Sequence, residues 1–245
     1  MIVATEHEWL QTPLGSYLLA QEQALYDAAV ADLFGFNALQ LGMTDVDLLQ
    51  HCRIPYRIKA GEQGLPAILC EATQMPFAAN SVDLLLLPHV LEFSSNPHDT
   101  LREAERILLP EGHVVISGFN PASLWGMRRL FNRRGGYPWQ GKFISLLRLK
   151  DWLALLGFEV VAGRMACYAP PVPKTRWFER CRFMDRAGDR WWPMLGGVYF
   201  LVAKKRVVGM RLIRPSWNGA RVARAFMPRP TQKTECQRKE HGRSG

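Results

Sequence analysis

The sequence predicts an α/β fold, a doubly wound sheet of about seven strands, mostly parallel with an antiparallel last strand. Three observations predict it. Strand-like and helix-like segments alternate along the chain, the order that βαβ units produce. The run Val82-Asp83-Leu84-Leu85-Leu86-Leu87-Pro88 is almost continuously apolar, as a strand covered on both faces requires. The last two strand-like runs are separated by the long irregular stretch 164–196, which allows the final strand to return antiparallel.

The elements follow in order. Thr12 is a helix N-cap and Pro13 suits the first helical position. Leu14, Leu18, Leu25 and Val30 share one side, so a helix is expected over 13–33. N-A-L-Q-L is the first strand and ends at Gly42. Thr44 is placed to cap a short helix, V-D-L-L-Q-H-C. I-P-Y-R-I-K is a second strand, pushed towards a sheet edge by Pro55, and P-A-I-L-C-E is a third. The fourth is the leucine run. Asn96 and Pro97 start a helix that repeats Leu101, Ala104, Ile107 and Leu108 at helical spacing. H-V-V-I-S-G is the fifth strand. L-K-D-W-L-A-L-L is a helix stopped by Gly157, and F-E-V-V-A-G and V-Y-F-L-V-A-K-K are the sixth and seventh strands. The second and third strands are too close in sequence for a helical crossover between them.

Composition narrows the function classes. No apolar run approaches the roughly 20 residues that span a bilayer. The opening M-I-V-A-T-E-H-E-W lacks the pattern of a secretory signal. Cys52, Cys70, Cys167, Cys181 and Cys236 are odd in number and contain no C-x-x-C, which argues against a disulfide framework or a zinc site. A cytoplasmic location is expected. The net charge is +9, yet residues 204–245 hold 12 Lys and Arg against 2 Glu, while the remainder holds 19 against 20. The body is therefore nearly neutral. The expected organisation is a domain over 1–206 followed by a basic, disordered tail over 207–245, and that tail is a candidate nucleic-acid contact.

Linked motifs run from Glu71 to Gly112: Glu71-Ala72, Met75-Pro76-Phe77, Val82-Asp83-Leu84, His89-Val90-Leu91-Glu92, Arg102-Glu103, Arg106-Ile107-Leu108 and Pro110-Glu111-Gly112. This stretch resembles the class I S-adenosylmethionine-dependent methyltransferases, specifically the small-molecule group called type 11. The resemblance implies a Rossmann-like sheet, S-adenosylmethionine as cofactor and methyl transfer to a small-molecule acceptor. It implies that Glu71 receives the adenine amine, with Ala72 and Met75 beside it. It places His89 near the sulfonium, a candidate cofactor contact and the candidate catalytic base. The family's first loop, acid-x-Gly-x-Gly-x-Gly, falls on Gln40, Gly42, Thr44 and Val46, so Gln40 and Gly42 are the expected cofactor contacts there. The ribose acid of the family follows the second strand; Glu62 is the nearest acid and falls late. Asp83 is expected to bond local backbone rather than to act in chemistry.

Two alternatives stay open. One is a catalytically inactive binding or regulatory protein that kept the sheet. The other is an RNA methyltransferase using the basic tail. S-L-W-G-M-R-R-L-F-N-R-R-G-G-Y-P-W, with Arg128, Arg129, Arg133 and Arg134, is a candidate contact for an anionic substrate or, peripherally, an anionic membrane. K-T-R-W-F-E-R-C-R-F-M-D-R-A-G-D-R-W-W-P interleaves basic and aromatic residues, as a lid or a nucleotide-binding segment would.

Overall fold

The computed structural model describes residues 6–64, 66–132, 136–171 and 192–206. Its strands are β1 (Asn37–Leu41), β2 (Tyr56–Gly61), β3 (Ile68–Leu69), β4 (Val82–Pro88), β5 (Leu108–Phe119), β6 (Phe158–Ala166) and β7 (Val198–Lys205). They form one sheet in the order β3-β2-β1-β4-β5-β7-β6. β3, β2, β1, β4 and β5 run parallel, and β7 is antiparallel to both β5 and β6. The sheet is the doubly wound, mostly parallel one that the sequence predicts, with its antiparallel last strand.

The helices are α1 (Glu6–Leu10), α2 (Pro13–Val30), α3 (Val90–Phe93), α4 (Pro97–Ile107), α5 (Leu124–Phe131) and α6 (Leu146–Leu155). Their starts are chemically marked. The Thr12 side chain accepts the Gly15 N–H at 3.1 Å, and Asn96 accepts from His98. Ser123 and Ser145 cap α5 and α6 in the same way. Each hydroxyl or amide oxygen satisfies a first-turn N–H that has no helical partner.

β4 shows why the sheet is sandwiched. Its side chains alternate, so Leu85 and Leu87 join α4 and α6 through Leu101, Ile107, Leu149 and Leu153. Leu84 and Leu86 point the other way, to Tyr26 and Val30 of α2 and to Leu48 and Leu49. All four leucines are at most 1% exposed. Burying each contributes about 1.5–3 kcal/mol, which explains an apolar run with no alternation.

Several local expectations change. α2 stops at Val30, three residues before the expected end. V-D-L-L-Q-H-C forms turns instead of a helix, because the buried Gln40 amide takes over its backbone groups. β2 is not an edge: it lies between β1 and β3, and Pro55 precedes it without removing a ladder donor. β2 also runs on to Gly61, further than I-P-Y-R-I-K reaches. β3 keeps only two residues, and no helix lies between β2 and β3 among the described residues. So short a strand needs only a short return of the chain. Leu108 leaves the helical pattern at the α4 C-cap and begins β5.

Arg133, Arg134, most of the K-T-R-W to W-W-P segment and the tail 207–245 lie outside the described residues. Arg128 and Arg129 pack their guanidinium groups over Trp139 and Phe143, at 5.0 and 5.1 Å from the ring centroids. Among the described residues no helix is long and apolar enough to cross a membrane.

Candidate active site

A cavity of about 310 Å³ opens at the C-terminal ends of β1, β2, β3 and β4. Its volume lies at the lower end of small-molecule sites. Open α/β sheets bind ligands at this edge, where neighbouring strands are connected in opposite directions. That reversal falls between β1 and β4.

Leu41, Gly42 and Met43 form the wall after β1, Gly61 and Glu62 that after β2, and Pro88 and His89 that after β4. Gly42 has φ +83, and a Cβ on it would lie 2.9 Å from Val90 Cγ2. Only glycine fits there without strain. Thr44, at the family's second glycine position, turns away from the cavity. Its hydroxyl donates to the Gln63 carbonyl at 3.0 Å. Gly61 and Gly64 make room for it: a Cβ on Gly64 would meet Thr44 Oγ1 at 2.2 Å, and one on Gly61 would meet Thr44 Cγ2 at 3.1 Å. Glycines on the facing segment thus give the Thr44 side chain its space. Val46 packs under the loop and does not line the cavity.

Gln40 has a different task from the one expected. It is fully buried beneath the loop. Its amide nitrogen lies 3.2, 3.0 and 2.9 Å from the carbonyls of Gly42, Met43 and Val46, and its oxygen accepts the Leu48 N–H at 3.0 Å. It shapes the loop and does not reach the cavity wall.

His89 does line the cavity, with φ +52 at the start of α3. Its Nε2 is 2.7 Å from Glu22 Oε1, its Nδ1 is 3.7 Å from Glu92 Oε1, and all three side chains are buried. Burial alone would favour the neutral ring. The Glu22 and Glu92 carboxyl groups override it and push the imidazole up to about 10. An imidazolium has no lone pair to offer, so this geometry does not favour the expected general base. His89 stacks on Phe119 at 4.1 Å, and Glu92 accepts the Phe119 N–H. The cluster ties α2, α3 and β5 together under the site.

The remaining expected residues divide. Ala72 lines the cavity, as does its neighbour Cys70. Glu71 is exposed just beyond β3, in a turn bridged to Gln74, and is outside the lining. Met75 is in the core. The Met75-Pro76-Phe77 turn is held by Arg106, whose guanidinium donates to the carbonyls of Phe77 and Met75 at 2.9 and 3.1 Å. The motif's separated pieces thus form one bonded unit. Asp83 accepts the N–H groups of Phe36 and Asn37, both at 2.9 Å; it bonds backbone as expected, but backbone distant in sequence and not local.

Glu62 directly follows β2 and lines the cavity, since the strand runs further than its sequence pattern indicated. Glu6, Phe93, Tyr137 and Gln140 complete the wall from α1, α3 and the loop after α5. Of these four only Tyr137 lies in a stretch the sequence singled out, S-L-W-G-M-R-R-L-F-N-R-R-G-G-Y-P-W; Glu6, Phe93 and Gln140 carry no such signal. α1 has five residues, too few for a readable period, and Trp9 seats it by packing on Tyr137 and Trp125 at centroid distances of 5.4 and 6.5 Å.

The comparisons agree with the architecture. A family model described as a methyltransferase domain matches residues 34–116. The chain is 32% identical over 223 residues to the uncharacterized protein YafS of Escherichia coli K12, covering 89% of each. Similar solved structures include a Thermotoga maritima S-adenosylmethionine-dependent methyltransferase described as a possible histamine N-methyltransferase. Its TM-score is 0.61 at 16% identity, over 82% of this chain and 94% of that one. Another is a Haloferax volcanii methyltransferase complex with the Trm112 activator, with a TM-score of 0.58 at 16% identity over 76% and 89%. At such identities the likeness is one of fold.

Proposed function

The chain belongs to the class I S-adenosylmethionine-dependent methyltransferase family, and from that premise we propose that it methylates a small-molecule acceptor in the cytoplasm. The observation that carries the proposal is the open cavity at the C-terminal ends of β1 to β4, with Gly42, Glu62, Ala72 and His89 in its wall.

S-adenosylmethionine supplies a methyl group on a sulfonium that needs no further activation. The residues present fit it. Gly42 leaves the backbone bare after β1. Glu62 stands where a carboxylate can accept from ribose hydroxyls, and Ala72 and Cys70 offer a small surface to the adenine, with the exposed Glu71 between them in sequence to accept its amine. His89, protonated between Glu22 and Glu92, fixes the floor. Holding the acceptor against the methyl carbon supplies much of the rate.

Isothermal titration of the full chain with S-adenosylhomocysteine tests this reading. Saturable binding is expected, weakened about tenfold or more by Glu62→Ala through loss of charge-assisted hydrogen bonds. No binding by folded protein at about 1 mM ligand, a free energy near −4 kcal/mol, would refute it. That result would favour a non-catalytic protein built on the same sheet.

A further inference from the structure

The wall at the β4 side of the cavity has a chemistry of its own. Glu6, Phe93, Tyr137 and Gln140 meet there. The Phe93 and Tyr137 rings are stacked, 4.9 Å between centroids and 17° between planes. The Tyr137 hydroxyl is buried, meets full hydrogen-bond geometry with none of the described residues, and lies within bonding reach of the Glu6 carboxyl. It stands close enough to the Glu6 carboxyl that each shifts the other's ionisation. Among the described residues the lining contains no Lys or Arg. Its only cationic group, His89, is already matched by Glu22 and Glu92.

Among the described residues the wall offers two carboxylates, Glu6 and Glu62, and no spare cation, which favours a cationic acceptor over an anionic one. Two aromatic rings beside a carboxylate suit an ammonium group, which gains both ion pairing and attraction to the ring faces. We propose that the acceptor is an amine, bound by Glu6, Tyr137 and Phe93, and that Glu6 is the base that frees its nitrogen. This rests on the methyltransferase reading above.

The step balances. The Glu6 carboxylate takes a proton from the acceptor's ammonium, leaving a lone pair on nitrogen. That pair forms the new C–N bond as the methyl carbon's bond to sulfur breaks, and the electrons of the broken bond remain on sulfur. A methylated ammonium and a neutral thioether leave, and Glu6 returns its proton to water. The environment of Glu6 helps. Burial draws its carboxyl above the usual range, partly offset by His89 and Tyr137 and reinforced by Asp45 and Glu22. A carboxylate so placed is a stronger base than an exposed one. The Tyr137 hydroxyl, beside the Glu6 carboxyl, helps hold that carboxylate in place against the acceptor.

The test has a binding arm and a turnover arm, both on the full chain. Calorimetry with the S-adenosylhomocysteine-loaded protein compares phenethylamine and tryptamine with phenylpropionate and phenyl phosphate, each up to about 10 mM. The amines are expected to bind and the anions not. Turnover of the same panel is read as labelled methyl transfer. Glu6→Gln is expected to keep S-adenosylhomocysteine affinity within about threefold, a change below 1 kcal/mol, while lowering methyl transfer about 100-fold. Glu6→Asp should recover part of it, and Tyr137→Phe should weaken amine binding with the cofactor product still bound. Amines that bind no better than the anions would overturn the proposal. So would full turnover by Glu6→Gln, or a loss of more than about tenfold in its S-adenosylhomocysteine affinity, which would put Glu6 on the cofactor. If the wild-type chain binds no S-adenosylhomocysteine, it is the methyltransferase reading that fails.

Discussion

Gln40 shows how one residue can depart from a motif and still shape its loop. Where the family has an acid, this chain has a donor, and that donor faces three carbonyls while its oxygen accepts one N–H. A carboxylate can only accept, so Gln40→Glu, although it restores a family-like acid, would set negative charge against those carbonyls. The variant is expected to lose about 1–3 kcal/mol in urea unfolding. Equal or greater stability than wild type would show that the amide does not hold the loop. Thr44 makes the same point sterically, because Gly61 and Gly64 are the spaces its side chain uses.

Among the elements, α1 depends on a glycine of its neighbour. Gly15 lies inside α2, where alanine would ordinarily gain about 1 kcal/mol of helix propensity. A Cβ there would lie 2.2 Å from the Trp9 carbonyl oxygen and 2.6 Å from Leu10 Cα. Neither is a flexible side-chain end, so α1 would have to move, taking Glu6 with it. Gly15→Ala is expected to lower the melting temperature instead of raising it, to loosen α1 in hydrogen exchange and to cut methyl transfer. A rise in melting temperature with unchanged turnover would refute the close packing of α1 on α2. At the far end of the sheet, Lys205 closes β7 onto α4, donating to the carbonyls of Glu105 and Leu108 at 2.6 and 2.9 Å. Cations at helix C-termini are favoured by the dipole and by the unpaired carbonyls there.

For the whole molecule, the buried imidazole couples stability to pH. His89 keeps its proton up to about pH 10 in the folded chain, against an ordinary value of 6.5. A group whose pKa is raised on folding stabilises fully below its unfolded value and loses that contribution as pH rises through the folded one. The contribution is therefore complete below 6.5 and disappears by about 10. Unfolding free energy is expected to fall across that interval, and His89→Gln should flatten the fall whatever its absolute stability. Identical slopes for the two proteins would exclude the coupling. The same charge belongs to the site, since it sits under a cavity that lacks any other cation among the described residues.

The sequence by itself determined the seven strands, the main helices and the family, though not α1 or the turns after Gly42. Strand periodicity, the leucine run, the caps at Thr12 and Asn96 and the motifs from Glu71 to Gly112 are local patterns, and local backbone physics reads them directly. V-Y-F-L-V-A-K-K became β7 residue for residue. What only the tertiary structure decided was which groups face the cavity. Gln40 was expected there and is buried under the loop. Glu62 was expected late and follows β2 directly, because pairing with β1 and β3 carries the strand on to Gly61. Glu6 and Tyr137, far apart in the chain, meet His89 only because α1 and the loop after α5 are packed over the strand ends. Periodicity records which side of its own element a residue takes. Whether two sides converge on one space depends on sheet order and long-range packing, which no local pattern encodes.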